Sequence, residues 1–142
     1  QKGVDFVAEE LNVNEVVLLK GNGFHLDTFF TPALNKDGYI VALIICEKFL
    51  HLQSKKNLFH YADNNNIPIF NIPESDALGT KTQTGKFSVN ALPLPGILLR
   101  PDYFSNPIID EQLSELGIKI KITPTSQFQL SGGSVHCVTN EL

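Results

Sequence analysis

The sequence has no methionine, only two cysteines and 18% charged residues in a chain of 142. Each shortage excludes something. Two cysteines do not make a disulfide framework. Cys46 ends an apolar run and Cys137 sits beside glycines, so both are expected as free thiols in a reducing, cytoplasmic compartment. No apolar run is long enough to span a bilayer, the longest being Tyr39 to Cys46. The N-terminus lacks the basic and then apolar pattern of a signal peptide. A formal net charge of −4 argues against nucleic acid or an anionic membrane as the main partner. The P-loop and the full dinucleotide fingerprint are absent too, so Gly21-Asn22-Gly23 reads as a loop rather than a phosphate cradle. A chain that begins at Gln1 and holds no methionine is expected to be a processed product, a fragment or one portion of something longer.

What is present fits one globular domain: 42% of the residues are hydrophobic, ordinary for a packed core. Val4 to Leu11 has helical spacing, and Glu15 to Lys20 reads as a buried strand. Phe24 to Leu34 reads as a strand, Asn35 to Gly38 as a type I′ hairpin turn, and Tyr39 to Ile45 as its return strand. A helix from about Glu47 to Asn64 and a short strand at Ile67 to Ile72 follow. Glu74 to Gly85 is polar and reads as an exposed loop. The plan then recurs. Lys86 to Leu94 is a strand, Pro95-Gly96 a turn and Ile97 to Leu99 a return strand. Asn106 caps a helix with Pro107 at its first position, Gly117 ends it, and Ile118 to Ile122 is a strand. The repeat units, about 24–73 and 86–123, share a hairpin–helix–strand architecture that cannot bury both its faces alone and wants neighbours in a ring or stack. Gln127 to Leu142 looks like the opening strand of a further unit.

The chemistry concentrates at two places. Ser131-Gly132-Gly133-Ser134-Val135-His136-Cys137 puts a thiol just after paired glycines, which permit positive φ and close approach. A nucleophilic cysteine needs a histidine partner. His136 is adjacent, but neighbours on an extended strand face opposite ways. Phe24-His25-Leu26-Asp27 is the better source, since His25 and Asp27 would share one strand face. If unit-opening strands converge on a ring axis, His25, Asp27 and Cys137 meet there. A thiolate, a histidine and a carboxylate suit attack on a planar carbon made electrophilic by positive charge. The blander readings are a buried structural cysteine, a structural histidine and a turn-capping aspartate. A zinc site of His25, His136 and Cys137 lacks the usual short ligand spacing. His51 and His60 read as helix surface, and Cys46 as core.

FHLDTFF followed by a hairpin ending in YIVALI, and SGGSVHC followed by VTNEL, resemble the guanidino-modifying enzymes of the pentein superfamily. These include arginine deiminases, arginine dihydrolases, dimethylarginine hydrolases and amidinotransferases. The resemblance covers essentially the whole chain. It implies an α/β fold, a pentein-type α/β propeller of hairpin–helix–strand units, of which 1–142 is a single domain or the C-terminal part of one. It also implies a hydrolase acting on the guanidinium of arginine or a related compound through a covalent amidino-thioether. Cys137 would be the nucleophile, His25 the general acid/base and Asp27 the guanidinium anchor, with no metal and no organic cofactor. Implied partners are the small-molecule guanidino substrate, the earlier units of the same protein and a second copy in a homodimer. The family's further acidic grip on the guanidinium comes before the His-x-Asp motif, and nothing before His25 matches it. Two rivals stay open: an amidinotransferase passing the amidino group to an amine, and a non-catalytic binding protein on the same propeller.

Overall fold

The computed structural model describes residues 2–13 and 15–139. A short helix, α1 (Lys2–Glu10), leads in and leaves Phe6, Val7 and Leu11 largely exposed. The segment expected as a buried strand, Glu15 to Lys20, is not one. It runs beside the helix that carries Asn57, His60 and Tyr61, with Val16 and Leu18 about half exposed. Its β-rich composition finds no neighbouring strand to pair with among the described residues.

The first unit comprises β1 (Phe30–Leu34), β2 (Ile40–Ile45), α2 (Leu52–Asn64) and β3 (Ile69–Asn71). β1 pairs antiparallel with β2, and β3 returns parallel to β2 after the helix. β2 is apolar along its length and is buried from Ala42 to Ile45, as a central strand must be. The hairpin is not type I′, because positive φ is confined to Gly38 (φ +85°) and the register slips between Ala33 and Leu34. Asn35 decides this. Its Oδ1 accepts from the N–H groups of Asp37 (3.0 Å) and Tyr39 (2.9 Å), so one side chain closes a longer loop with a bulge.

The second unit repeats the topology with β4 (Leu92–Leu94), β5 (Ile97–Arg100), α3 (Pro107–Glu115) and β6 (Lys119–Ile122). Pro95 and Gly96 (φ +73°) make the tight turn. Asn106 Oδ1 caps α3 by accepting from Ile108 N–H at 3.2 Å. β4 is far shorter than Lys86 to Leu94 because Phe87 takes φ +55° and Ser88 to Asn90 turn inward, each of the three 0% exposed. Glu74 to Gly85 is also not simply an exposed loop. Asp76 is fully buried and accepts from Ser105 N–H (2.6 Å) and Ser105 Oγ (2.5 Å), which pins the segment to the second unit.

The two sheets share one core. It contains Ile44, Ile45, Leu58 and Ala62 from the first unit and Leu98, Ile109, Leu113 and Ile118 from the second. β1 packs beside β4 and β5, and Gly96 N–H donates to Leu34 O at 2.9 Å, joining the hairpin ends. After β6 the chain forms α4 (Ser126–Gln129) and a single tight turn at His136–Val138, not an opening strand. Asn140 to Leu142 of that expected strand lie outside the described residues. Among the described residues no helix is long and apolar enough to cross a membrane.

Candidate active site

Two tight turns carry the site, each where the sequence suggested a strand. Leu26–Thr28 is a one-turn 3-10 helix, with His25 extended just before it (φ −131°, ψ 159°). Thr28 is buried, and its hydroxyl donates back to His25 O at 2.5 Å, which tightens the turn. His136–Val138 is a second such turn. It is anchored by Ser134 and Val135, both buried, with Ser134 Oγ and Thr125 Oγ1 2.6 Å apart. The glycine pair divides its labour. Gly132 takes φ +84°, whereas a Cβ on Gly133 would sit 3.0 Å from Cys137 Cβ and 3.4 Å from its sulfur.

The turns bring His25, Asp27 and Cys137 together, with one ligand-type atom from each lying within 4.8 Å of the others. Cys137 Sγ donates to Asp27 Oδ2 at 3.3 Å. His25 stacks on Phe24, ring centroids 4.3 Å apart, and is exposed, as is Cys137. Asp27 is half-buried. Its Oδ1 is buried and has no hydrogen-bond partner among the described residues, an unusual condition for a carboxylate oxygen.

Sequence reasoning placed His136 on the opposite face from Cys137. The structure does not, because the segment is a turn and not a strand. His136 Nδ1 lies 2.8 Å from Asp27 Oδ2, so the imidazole joins the cluster through the carboxylate. Asn90 was missed altogether. Its carboxamide touches both Asp27 and Cys137, and it lay inside a stretch read as strand interior. The one signal available was a polar side chain amid Val89, Ala91 and Leu92.

Three donors within 4.8 Å could ligate a soft cation. Two of them, Asp27 Oδ2 and Cys137 Sγ, are already joined by hydrogen bonds from Asn90, His136 and the thiol itself. A cavity of about 380 Å³ opens beside Asp27 and His136, with Leu26, Phe30 and Pro93 in its wall. Another of about 400 Å³ has His25 and Phe24 in its wall. Gly21 and Gly23 belong to that second wall because a Cβ on either would strike the Phe29 ring, at 2.5 Å and 2.3 Å. They are glycines that the Phe29 ring packs against. His51 and His60 are exposed, His51 bonding Asn22 and His60 bonding Asn64. Cys46 is buried, and burial pushes its thiol above the ordinary value.

No family model matches the chain, and no curated protein does. Solved structures do. The chain is similar to an apo arginine dihydrolase, ArgZ, of the ornithine–ammonia cycle in cyanobacteria. Identity there is 26% and TM-score 0.65, over 86% of this chain and 17% of that one. It is similar to the product-bound N-terminal domain of ArgZ at 24% identity and TM-score 0.70, over 96% of this chain and 45% of that domain. It is also similar to an agmatine deiminase of C. jejuni at 20% identity and TM-score 0.62, again over 96% and 45%. The chain therefore spans less than half the length of the proteins it matches. Two hairpin–helix–strand units around one core, superposing on these enzymes, make this chain a stretch of pentein-fold α/β propeller.

Proposed function

We propose that this stretch carries the nucleophilic half of an enzyme that hydrolyses the guanidinium group of arginine or a related compound. The observation that carries the reading is the buried Oδ1 of Asp27, without a partner among the described residues, in a carboxylate whose other oxygen touches the Cys137 sulfur. Leaving a buried acceptor unmade is costly, and a guanidinium offers it paired N–H donors and a compensating charge. A guanidinium held there lies with its carbon against the sulfur.

The chemistry follows in order. The arriving cation makes the thiolate easier to form, and His25 takes the thiol proton. The Cys137 Sγ–C bond forms at the guanidino carbon. The bond from that carbon to the leaving nitrogen breaks, and the nitrogen departs with the electron pair and the proton from His25. A covalent amidino-thioether remains. His25 then draws a proton from water, the water oxygen adds to the carbon, and the carbon–sulfur bond breaks to restore the thiolate and release a urea as the remaining hydroxyl proton passes to solvent. No step calls on a metal. The likeness to an arginine dihydrolase and an agmatine deiminase supports a guanidino substrate class.

The test is intact mass under denaturing conditions after incubation with arginine and an acid quench. A covalent adduct on the native chain, absent from Cys137→Ser, is the expected result. If the adduct survives in Cys137→Ser, or if no guanidino compound forms one, the reading fails.

A further inference from the structure

Asn90 is fully buried, and its carboxamide is used on both sides. Nδ2 donates to Asp27 O at 3.3 Å and to Cys137 Sγ at 3.2 Å, and Oδ1 accepts from Cys137 N–H at 3.3 Å. Its backbone carbonyl accepts from His136 N–H at 3.2 Å. One residue thus ties together the turn of Asp27 and the turn of His136 and Cys137, which lie 63 and 47 positions away. The orientation of the amide is fixed by its partners. Rotated by half a turn, the oxygen would face the Asp27 carbonyl and the sulfur, and the NH₂ would face the Cys137 N–H.

The turn that presents Asn90 is itself held from several directions. Ser88 N–H donates to Asp76 O (2.8 Å), Phe87 N–H to Ala77 O (3.0 Å), and Gln129 Nε2 to Lys86 O (3.1 Å). Buried Phe87 accepts a left-handed φ of +55° to make it.

We propose that Asn90 is a further catalytic residue, whose side-chain N–H stabilises the Cys137 thiolate and holds the sulfur against Asp27. This rests on the reading of Cys137 as the nucleophile. A donor to sulfur bonds the thiolate more strongly than the thiol, since charge-assisted hydrogen bonds are the stronger ones. Asp27 Oδ2 does the reverse, accepting from the S–H. The two contacts oppose each other until a cation neutralises Asp27, and Asn90 then has the sulfur alone.

The experiment is the pH dependence of Cys137 alkylation by iodoacetamide, read by peptide mass. Wild type is compared with Asn90→Ala and with Asn90→Asp, which keeps the acceptor for Cys137 N–H and loses the donor. The alkylation midpoint rises by about one to two pH units in Asn90→Ala and at least as far in Asn90→Asp. Midpoints equal to that of wild type in both folded variants overturn the assignment. Should either variant fail to fold, the ¹⁵N side-chain amide signal of Asn90 in wild type decides. It shifts with the midpoint of Cys137 ionisation and stays flat in Cys137→Ser, and a signal that is flat in wild type overturns the assignment. The outcome is separable from turnover. Amide–thiolate coupling without a guanidino adduct sinks the hydrolase reading and leaves Asn90 standing, and an adduct without coupling does the reverse.

Discussion

Replacing Asp27 by Asn removes one negative charge beside the sulfur while keeping size and shape. The carboxylate oxygen lies 3.3 Å from Sγ, so an amidinium one or two bonds beyond the sulfur comes within about 4 Å of it. Two unit charges at about 4 Å attract by roughly 4 kcal/mol at an effective dielectric of about 20, and by roughly 1 kcal/mol in water. The Asp27 side chain keeps 21% of its exposure, which puts the pair between these limits. About 2 kcal/mol is a fair figure, or roughly 30-fold in rate. The assay compares alkylation of Cys137 by chloroacetamidine, a cation, with that by neutral chloroacetamide. The ratio of the two rates cancels any change in thiol ionisation, because both reagents meet the same sulfur. Asp27→Asn lowers the preference for the cation by about 30-fold, and 0.5 M salt lowers it far less, since a partly buried pair is poorly screened. An unchanged ratio in Asp27→Asn, with both reagents still reacting, refutes the placement of the guanidinium against Asp27.

Cys46 titrates above an ordinary thiol, chiefly through burial, so the folded state holds its proton more tightly than the unfolded chain does. The stability this contributes is complete below about pH 9 and is lost as pH rises through the higher folded-state value. Chemical denaturation across that range shows the decline in wild type and a shallower one in Cys46→Ala. Arg100 is wholly buried, bonded through Nη2 to Asp110 at 2.5 Å and lying 3.8 Å over the Phe104 ring. Burial lowers its pKa and Asp110 opposes that, so Asp110→Asn leaves a buried guanidinium without its counter-charge and costs about 3–5 kcal/mol in urea unfolding. Gly133→Ala sets its new Cβ 3.0 Å from Cys137 Cβ, so the thiol-bearing side chain has to give way and iodoacetamide labelling there slows, read by peptide mass.

The fold was legible where local chemistry and tertiary need agree. Asn106-Pro107 and Gly117 bracket α3 as the capping rules require, and the apolar run of β2 is the buried centre of its sheet. Reading failed where one side chain or one backbone angle overrode composition. Asn35 turned an Asp-Gly hairpin signal into a longer bulged loop. Phe87 at φ +55° broke a stretch of good strand residues, and no propensity scale anticipates a buried aromatic in that conformation. Val16 to Leu19 has strand composition, and strand formation needs a partner that composition does not supply.

The same asymmetry governs the site. His25, Asp27 and Cys137 could be placed together from the repeat, because repetition fixes where equivalent positions lie even when the local structure is misjudged. They were expected on strands and sit on tight turns, yet the meeting point is unchanged. Asn90 could not be found that way. It heads no motif, and its value comes from a half-turn of its amide that satisfies three partners drawn from two other segments. His25, Asp27 and Cys137 announce themselves by type, while Asn90 is found only by geometry. Asn90 stands out in the structure as a buried carboxamide whose hydrogen bonds join the turn of Asp27 to the turn of Cys137.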